Sequence, residues 1–220
     1  MMHKPIHPKD LDISSITYKH PKDLPNGGKK VYMDFENSPI IIQTPKLFCP
    51  FGLKDWKGNH SYTLDLSFKG METDPKILEF YDKLTELDEK IIEDCQGNGM
   101  AWLKKPIENR DEAEMVYTRQ IRVAKDKNGE VDLRFPNTIK LNVPYRDGYF
   151  IPDVYDSASR EQIDLHDRDV DTKGAMIIAI IQCTGVWTAG GKCGLGWKVM
   201  QMIVEPPVVG KRQFAFIDMD

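Results

Sequence analysis

Between Gly174 and Val204 the chain reads Gly-Ala-Met-Ile-Ile-Ala-Ile-Ile-Gln-Cys-Thr-Gly-Val-Trp-Thr-Ala-Gly-Gly-Lys-Cys-Gly-Leu-Gly-Trp-Lys-Val-Met-Gln-Met-Ile-Val. β-Branched and aromatic residues flank Gly190-Gly191, which argues for two long strands joined by a glycine-rich hairpin. A tryptophan stands where each strand meets the loop, Trp187 and Trp197. Such a pair reads as the wall of a β-barrel with an aromatic-edged, partly basic tip, a shape suited to gripping a polymer. Its longest apolar run, Ala175 to Ile181, is far too short to span a bilayer, for which a helix needs about 20 apolar residues.

The rest of the chain supplies more strands and one helix. Residues 1–30 are polar, punctuated by Pro and Gly, and read as an N-terminal arm. Short strands are expected at Val31–Phe35 and Pro39–Thr44, and Ser61–Phe68 alternates with Tyr62, Leu64, Leu66 and Phe68 on one face. Asp74-Pro75 is a helix start, with Asp as N-cap and Pro in the first turn. Ile77, Tyr81, Leu84, Leu87 or Asp88, Ile91 and Cys95 recur at helical spacing, and Gln96-Gly-Asn-Gly99 is expected to end that helix. Met115–Val123 and Val131–Phe135 are expected to form strands around an Asp126–Gly129 turn, with further strands at Thr138–Val143, Tyr149–Ile151 and Val154-Tyr155. Many strands with a single early helix imply a mainly β fold, a Greek-key barrel or sandwich, since strands do not alternate with helices. The expected organisation is an arm over 1–30, a barrel domain over 31–206 with its helix near 75–95, and a short tail over 207–220.

Signatures of catalysis are missing from the sequence. The four cysteines, Cys49, Cys95, Cys183 and Cys193, have no CxxC spacing and are too sparse for a disulfide scaffold, so buried thiols in a reducing compartment are expected. The histidines are scattered without metal-ligand spacing. Asp164–Asp171 is acidic but lacks the glycine and closing Glu of a calcium loop, and reads as solvated. Gly190-Gly-Lys-Cys-Gly leads into a strand and has no Ser or Thr after the lysine, which excludes a phosphate loop. No cofactor or metal is expected. The N-terminus has no apolar core of the signal-peptide kind, so an intracellular chain without membrane association is expected.

Single-stranded nucleic acid is held by aromatic faces that stack bases and by cations that follow the phosphates, each stacked base contributing roughly 1–3 kcal/mol. Aromatic and basic residues interleave at Trp56-Lys57, at Tyr117, Arg119 and Arg122, at Lys125 and Lys127, at Arg134-Phe135, at Lys140, at Tyr145-Arg146, and at Trp187 and Lys192. Of the two hairpin tryptophans, Trp187 lies nearer the loop and is assigned to the surface. The net charge of −4 and pI of about 5.8 supply no global basic signal, so any such groove must be local.

The order of these elements resembles the OB-fold single-stranded-DNA-binding proteins of short-tailed T-odd coliphages and their homologues in large nucleocytoplasmic DNA viruses. Lys57–Phe68 resembles that family's basic residue, glycine and first barrel strand; Asp74–Glu93 its early helix; Gly174–Glu205 its last two strands. The resemblance spans roughly residues 46–206. It implies an OB-type barrel without enzymatic activity that coats single-stranded DNA, or RNA, in replication, recombination and repair. It also implies a homodimer, replication proteins as partners, and residence at a nuclear or cytoplasmic site of viral replication. Carried over residue by residue, Lys57 and Trp187 match positions at the DNA, and Arg119, Arg122 and Lys140 follow by analogy. The family's long acidic tail is reduced here to Phe214-Ala-Phe-Ile-Asp-Met-Asp220. The acidic pI and short tail also fit a second reading, a virion or scaffolding barrel with protein partners only.

Overall fold

Five strands close a ring: β1 (Leu47–Phe48), β2 (Tyr62–Ser67), β3 (Thr138–Val143), β4 (Met176–Ala189) and β5 (Lys192–Glu205). The structure is a computed structural model that describes residues 4–25, 27–56, 58–166 and 171–207. β2 pairs with β1 through Phe48 and Ser67 and with β3 along six residue pairs, both antiparallel. β3 meets β5 in parallel at Asn142 and Lys198. β5 turns back from β4 as the predicted hairpin, and β4 returns to β1 through Ile177 and Leu47. The circuit 1-2-3-5-4-1 is an OB-type Greek-key barrel, and the fold is mainly β with one long helix. Leu64, Leu66, Ile139, Leu141, Val143, Ile177, Ile181, Trp197 and Val199 fill its interior and are at most 2% exposed.

Gly185 explains how β4 takes on an edge strand beyond the ring. The β4–β5 register slips between Cys183 and Gly185, and Gly185 has φ of 90°. A Cβ there would stand 2.1 Å from the carbonyl oxygen of Val31. Only glycine admits both the backbone conformation and the close approach. Beyond this bulge Val186, Trp187 and Thr188 pair with Val31, Lys30 and Lys29 of an edge strand, Lys29–Val31.

Helix α1 begins as predicted. The Asp74 carboxylate accepts the Lys76 N–H at 2.9 Å, and Pro75 occupies the first turn. It does not stop at Gln96–Gly99 but runs to Leu103, where Lys104 adopts the left-handed conformation. Gly99 serves space rather than termination, since a Cβ there would lie 2.8 Å from Ile107 Cγ1 and from the Lys105 carbonyl. The extra turn buries Trp102 edge-on against Tyr18, which outweighs a helical glycine's cost of about 1 kcal/mol. The described part of residues 1–30 packs in turn, with Leu11 fully buried and Ile16 nearly so.

Two other expectations are corrected. Met115–Val123 is not one strand: a second helix, α2, covers Arg110–Val116, followed by two-residue strands at Tyr117-Thr118 and Ile121-Arg122. Asn109 caps α2 by accepting the Glu112 N–H, while Glu112 reaches back to the Glu108 N–H. That Asn-x-x-Glu pattern was the available signal for a helix start. Val131–Phe135 is not a strand either; only Val131 bridges, to Lys125, across the predicted turn. All four cysteines are free thiols and buried, Cys95 Sγ lying 3.6 Å from Cys193 Sγ.

Candidate nucleic-acid interface

The Gly-Leu-Gly of β5 makes room for Trp187. The register sets Trp187 of β4 between Gly194 on one side and Lys30 on the other. A Cβ on Gly194 would fall 2.7 Å from the indole Cζ2, and one on Gly196 3.7 Å from Cδ1. The ring therefore lies across a track of bare backbone and is fixed there by its N–H, which donates to the Leu195 carbonyl at 3.3 Å. Trp197, by contrast, points inward, is 2% exposed, and donates its indole N–H to the Gln120 side-chain oxygen Oε1.

Residues 117–122 form the facing wall. Tyr117-Thr118 pairs in parallel with Cys193-Gly194, and Ile121-Arg122 pairs with Ile139-Thr138 of β3. The turn between them is anchored by Asp88 of α1, which is 1% exposed. Its carboxylate accepts the Tyr117 hydroxyl at 2.6 Å, the Gln120 side-chain amide at 2.7 Å and the Gln120 backbone N–H at 3.2 Å. Burial pushes the Asp88 pKa up, while these hydrogen bonds and the Arg119 charge oppose the shift. A line of hydrogen bonds thus runs from α1 through Gln120 to Trp197 in the barrel.

A cleft of about 370 Å³ opens between these walls. Lys30, Arg119, Arg122 and Lys140 line it with Trp187, beside Thr118, Asn142 and Thr184, and no carboxylate is among its lining residues. The Lys30 ammonium donates to Thr184 Oγ1 at 2.8 Å, and its pKa is lowered by burial and then by the Lys198 charge. Lys140 is also lowered, by burial first and by neighbouring Arg122 next. Arg119 is steadied by Glu89 at 2.7 Å. Asp65, outside the lining, holds Lys54 at 2.9 Å and stands 3.7 Å from Arg122, and its buried Oδ1 accepts no hydrogen bond. The result is a locally cationic groove on an acidic protein.

The structure gathers Arg119, Arg122, Lys140 and Trp187 in this one cleft. Trp56 is exposed on the loop leading to β2 and is not among the lining residues, and Lys57 lies outside the described residues. Lys192 stands exposed at the hairpin tip, where its ammonium donates to the Met115 carbonyl near the C-terminal end of α2. Tyr117 is corrected: it is 7% exposed, with its hydroxyl committed to Asp88, so it supports the wall and offers no face to a base. Lys30 was missed because it sits at the edge of a polar stretch, and its only sequence signal is the Lys-Lys pair before Val31. The Asp164–Asp171 run lies partly, and the tail wholly, outside the described residues.

No family model matches the chain. It is 28% identical over 174 residues, 74% of its length, to an uncharacterised protein of Acanthamoeba polyphaga mimivirus, and spans about a quarter of that protein. Among solved structures it is similar to the single-stranded DNA-binding protein of bacteriophage Enc34 in complex with ssDNA, with a TM-score of 0.49 and 14% identity, covering 85% of this chain and 94% of that one. It is also similar to the single-stranded DNA-binding protein of bacteriophage T7, with a TM-score of 0.44 and 12% identity, covering 80% and 92%.

Proposed function

We propose that this chain binds single-stranded DNA with little sequence preference and coats it during viral DNA replication, recombination or repair. The observation that carries this reading is the cleft itself: four cations around one half-buried tryptophan, with no carboxylate lining it. Cations spaced along a groove suit a phosphate backbone, and an indole face accepts any base. The cleft is lined by β3 and by both strands of the β4–β5 hairpin, and OB barrels accommodate oligonucleotides on the face of strands 2 and 3 and at the loop between strands 4 and 5. Arg119 is tethered by Glu89 outside the cleft, which limits the entropy lost when a phosphate is gripped. No lining residue is arranged as a nucleophile with a base, and the proposed role is binding without catalysis.

The test is a fluorescence titration of labelled oligo(dT), with oligo(rU) alongside to compare the two nucleic acids. Binding is expected at low salt. The logarithm of the affinity should fall with log[salt] at a slope of about −0.7 per phosphate engaged, hence about −3 for the four cleft cations. Absence of binding at low salt refutes the reading. Alkaline pH should weaken the complex earlier than ordinary lysines would. Lys30 and Lys140 have lowered pKa values, so each loses its charge, and its attraction for phosphate, at a lower pH than an exposed lysine. Replacing both with arginine should flatten that alkaline loss.

A further inference from the structure

The two paired strands Ile121–Arg122 and Thr138–Val143 are joined by an exposed segment that is not itself a strand pair. Arg122 and Thr138 face each other in register, and the chain between them projects as a finger with its turn at Asp126–Gly129. The finger is built to be rigid. Asp126 Oδ1 accepts the N–H groups of Asn128 and Glu130, at 2.8 and 3.0 Å, and the Asp126 N–H donates to the Glu130 carbonyl at 2.8 Å. Lower down, the Asp132 N–H donates to the Ala124 carbonyl at 2.9 Å. The Asp132 carboxylate accepts the Nε–H and one terminal amine of the Arg134 guanidinium, at 2.8 and 2.7 Å. The acids of this segment are thus largely used internally, while its apolar side chains are not: Leu133 is 91% and Phe135 60% exposed, with Val131 also outside. Lys125 and Lys127 are exposed near the tip.

A rigid projection with an exposed aromatic ring, an arginine beside that ring (Arg134 Cζ lies 5.8 Å from the Phe135 centroid) and free lysines has the chemistry of a single-strand contact. Exposed apolar side chains grouped in this way mark an interaction surface. Its continuity with the cationic cleft selects the occupant. We infer that the finger is a second contact for the same single-stranded nucleic acid. A strand leaving the cleft past Arg122 and Lys140 is clasped there, one base stacking on Phe135 and the backbone passing Lys125 and Lys127. This rests on the proposed function and extends it from one subsite to a longer footprint.

The experiment compares two oligo(dT) lengths, about six nucleotides, enough for the cleft alone, and about sixteen, enough to reach the finger. Phe135→Ala combined with Leu133→Ser should weaken binding of the long oligonucleotide about tenfold and leave the short one unchanged. Lys125→Glu with Lys127→Glu should weaken the long complex and lower its salt slope by about one. Both pairs are solvent-facing, so the variants should fold. Wild type that binds both lengths, with both variants unchanged on both, overturns the finger and leaves the cleft standing. Parallel losses on both lengths also overturn it, since the effect then lies in the cleft. A changed sedimentation coefficient with unchanged DNA binding assigns the finger to protein contact and overturns it too. Failure of the wild type to bind either length removes the proposed function and the finger's role with it.

Discussion

Trp187→Ala should bind oligo(dT) about tenfold to a hundredfold more weakly than the wild type, with the fold intact. A base stacked on an aromatic face contributes roughly 1–3 kcal/mol, and about 1.4 kcal/mol corresponds to a factor of ten. The indole lies across Gly194 and Gly196 on the barrel's outer side, so its removal uncovers backbone and opens no interior cavity. Trp197 is the contrasting case: it is buried in the barrel, and its removal should cost about 3–5 kcal/mol of stability. Trp187→Phe keeps a stacking face and should recover most of the affinity. The decisive pair of measurements is anisotropy with the oligonucleotide and a thermal melt of each variant. Unchanged affinity in a folded Trp187→Ala protein removes the tryptophan from the site.

A large effect on stability is also expected at Asp88. Its replacement by alanine strips partners from the Tyr117 hydroxyl and the Gln120 backbone N–H and takes one of two from the Gln120 amide, all buried. Each unsatisfied buried donor costs about 1–3 kcal/mol, so a loss of about 3 kcal/mol or more is expected in denaturant unfolding. Because Gln120 also receives the Trp197 indole, the facing wall should loosen and oligonucleotide affinity should fall with it. The group also leaves a signature in pH. Its pKa is raised in the fold, so the folded protein holds that proton more tightly than the unfolded chain does. The contribution of Asp88 to stability therefore declines as pH rises from about 4 through the raised value, and is level above it. The stability difference between wild type and Asp88→Ala should shrink across that window. A difference that grows with pH would show that Asp88 is stabilised as the anion and that its pKa is lowered.

The long elements were legible because their periodicity is a local property. The β4–β5 hairpin, the alternation of β2 and β3, and the Asp74-Pro75 start of α1 all appear where the patterns place them. The end of α1 was not legible, because Gly99 answers to a neighbour, Ile107, that no window of helical spacing weighs. The two-residue strands at Tyr117-Thr118 and Ile121-Arg122 were not legible either. They owe their form to partners on β5 and β3, and two residues carry no period. The site divides in the same way. Arg119, Arg122, Lys140 and Trp187 stand out in their own neighbourhoods as basic or aromatic residues, and the topology brings them to one cleft. Tyr117 stands out likewise but is turned inward by Asp88, a carboxylate inside the helix's apolar stripe. Lys30 entered only through the bulge at Gly185, more than 150 positions along the chain.

That bulge bears on where the chain can be cut. A fragment beginning at Leu47 would retain all five strands of the ring and could look complete to any criterion based on the barrel. It would nonetheless lack Lys30, the cation directly opposite Trp187, and would leave the distal half of β4 without its edge partner. Cutting at Leu47 would also strip Leu11, Val31, Ile40 and Ile42 from the core, so the ring of five strands is not by itself the unit that folds, and the cleft is complete only when the N-terminal segment is kept.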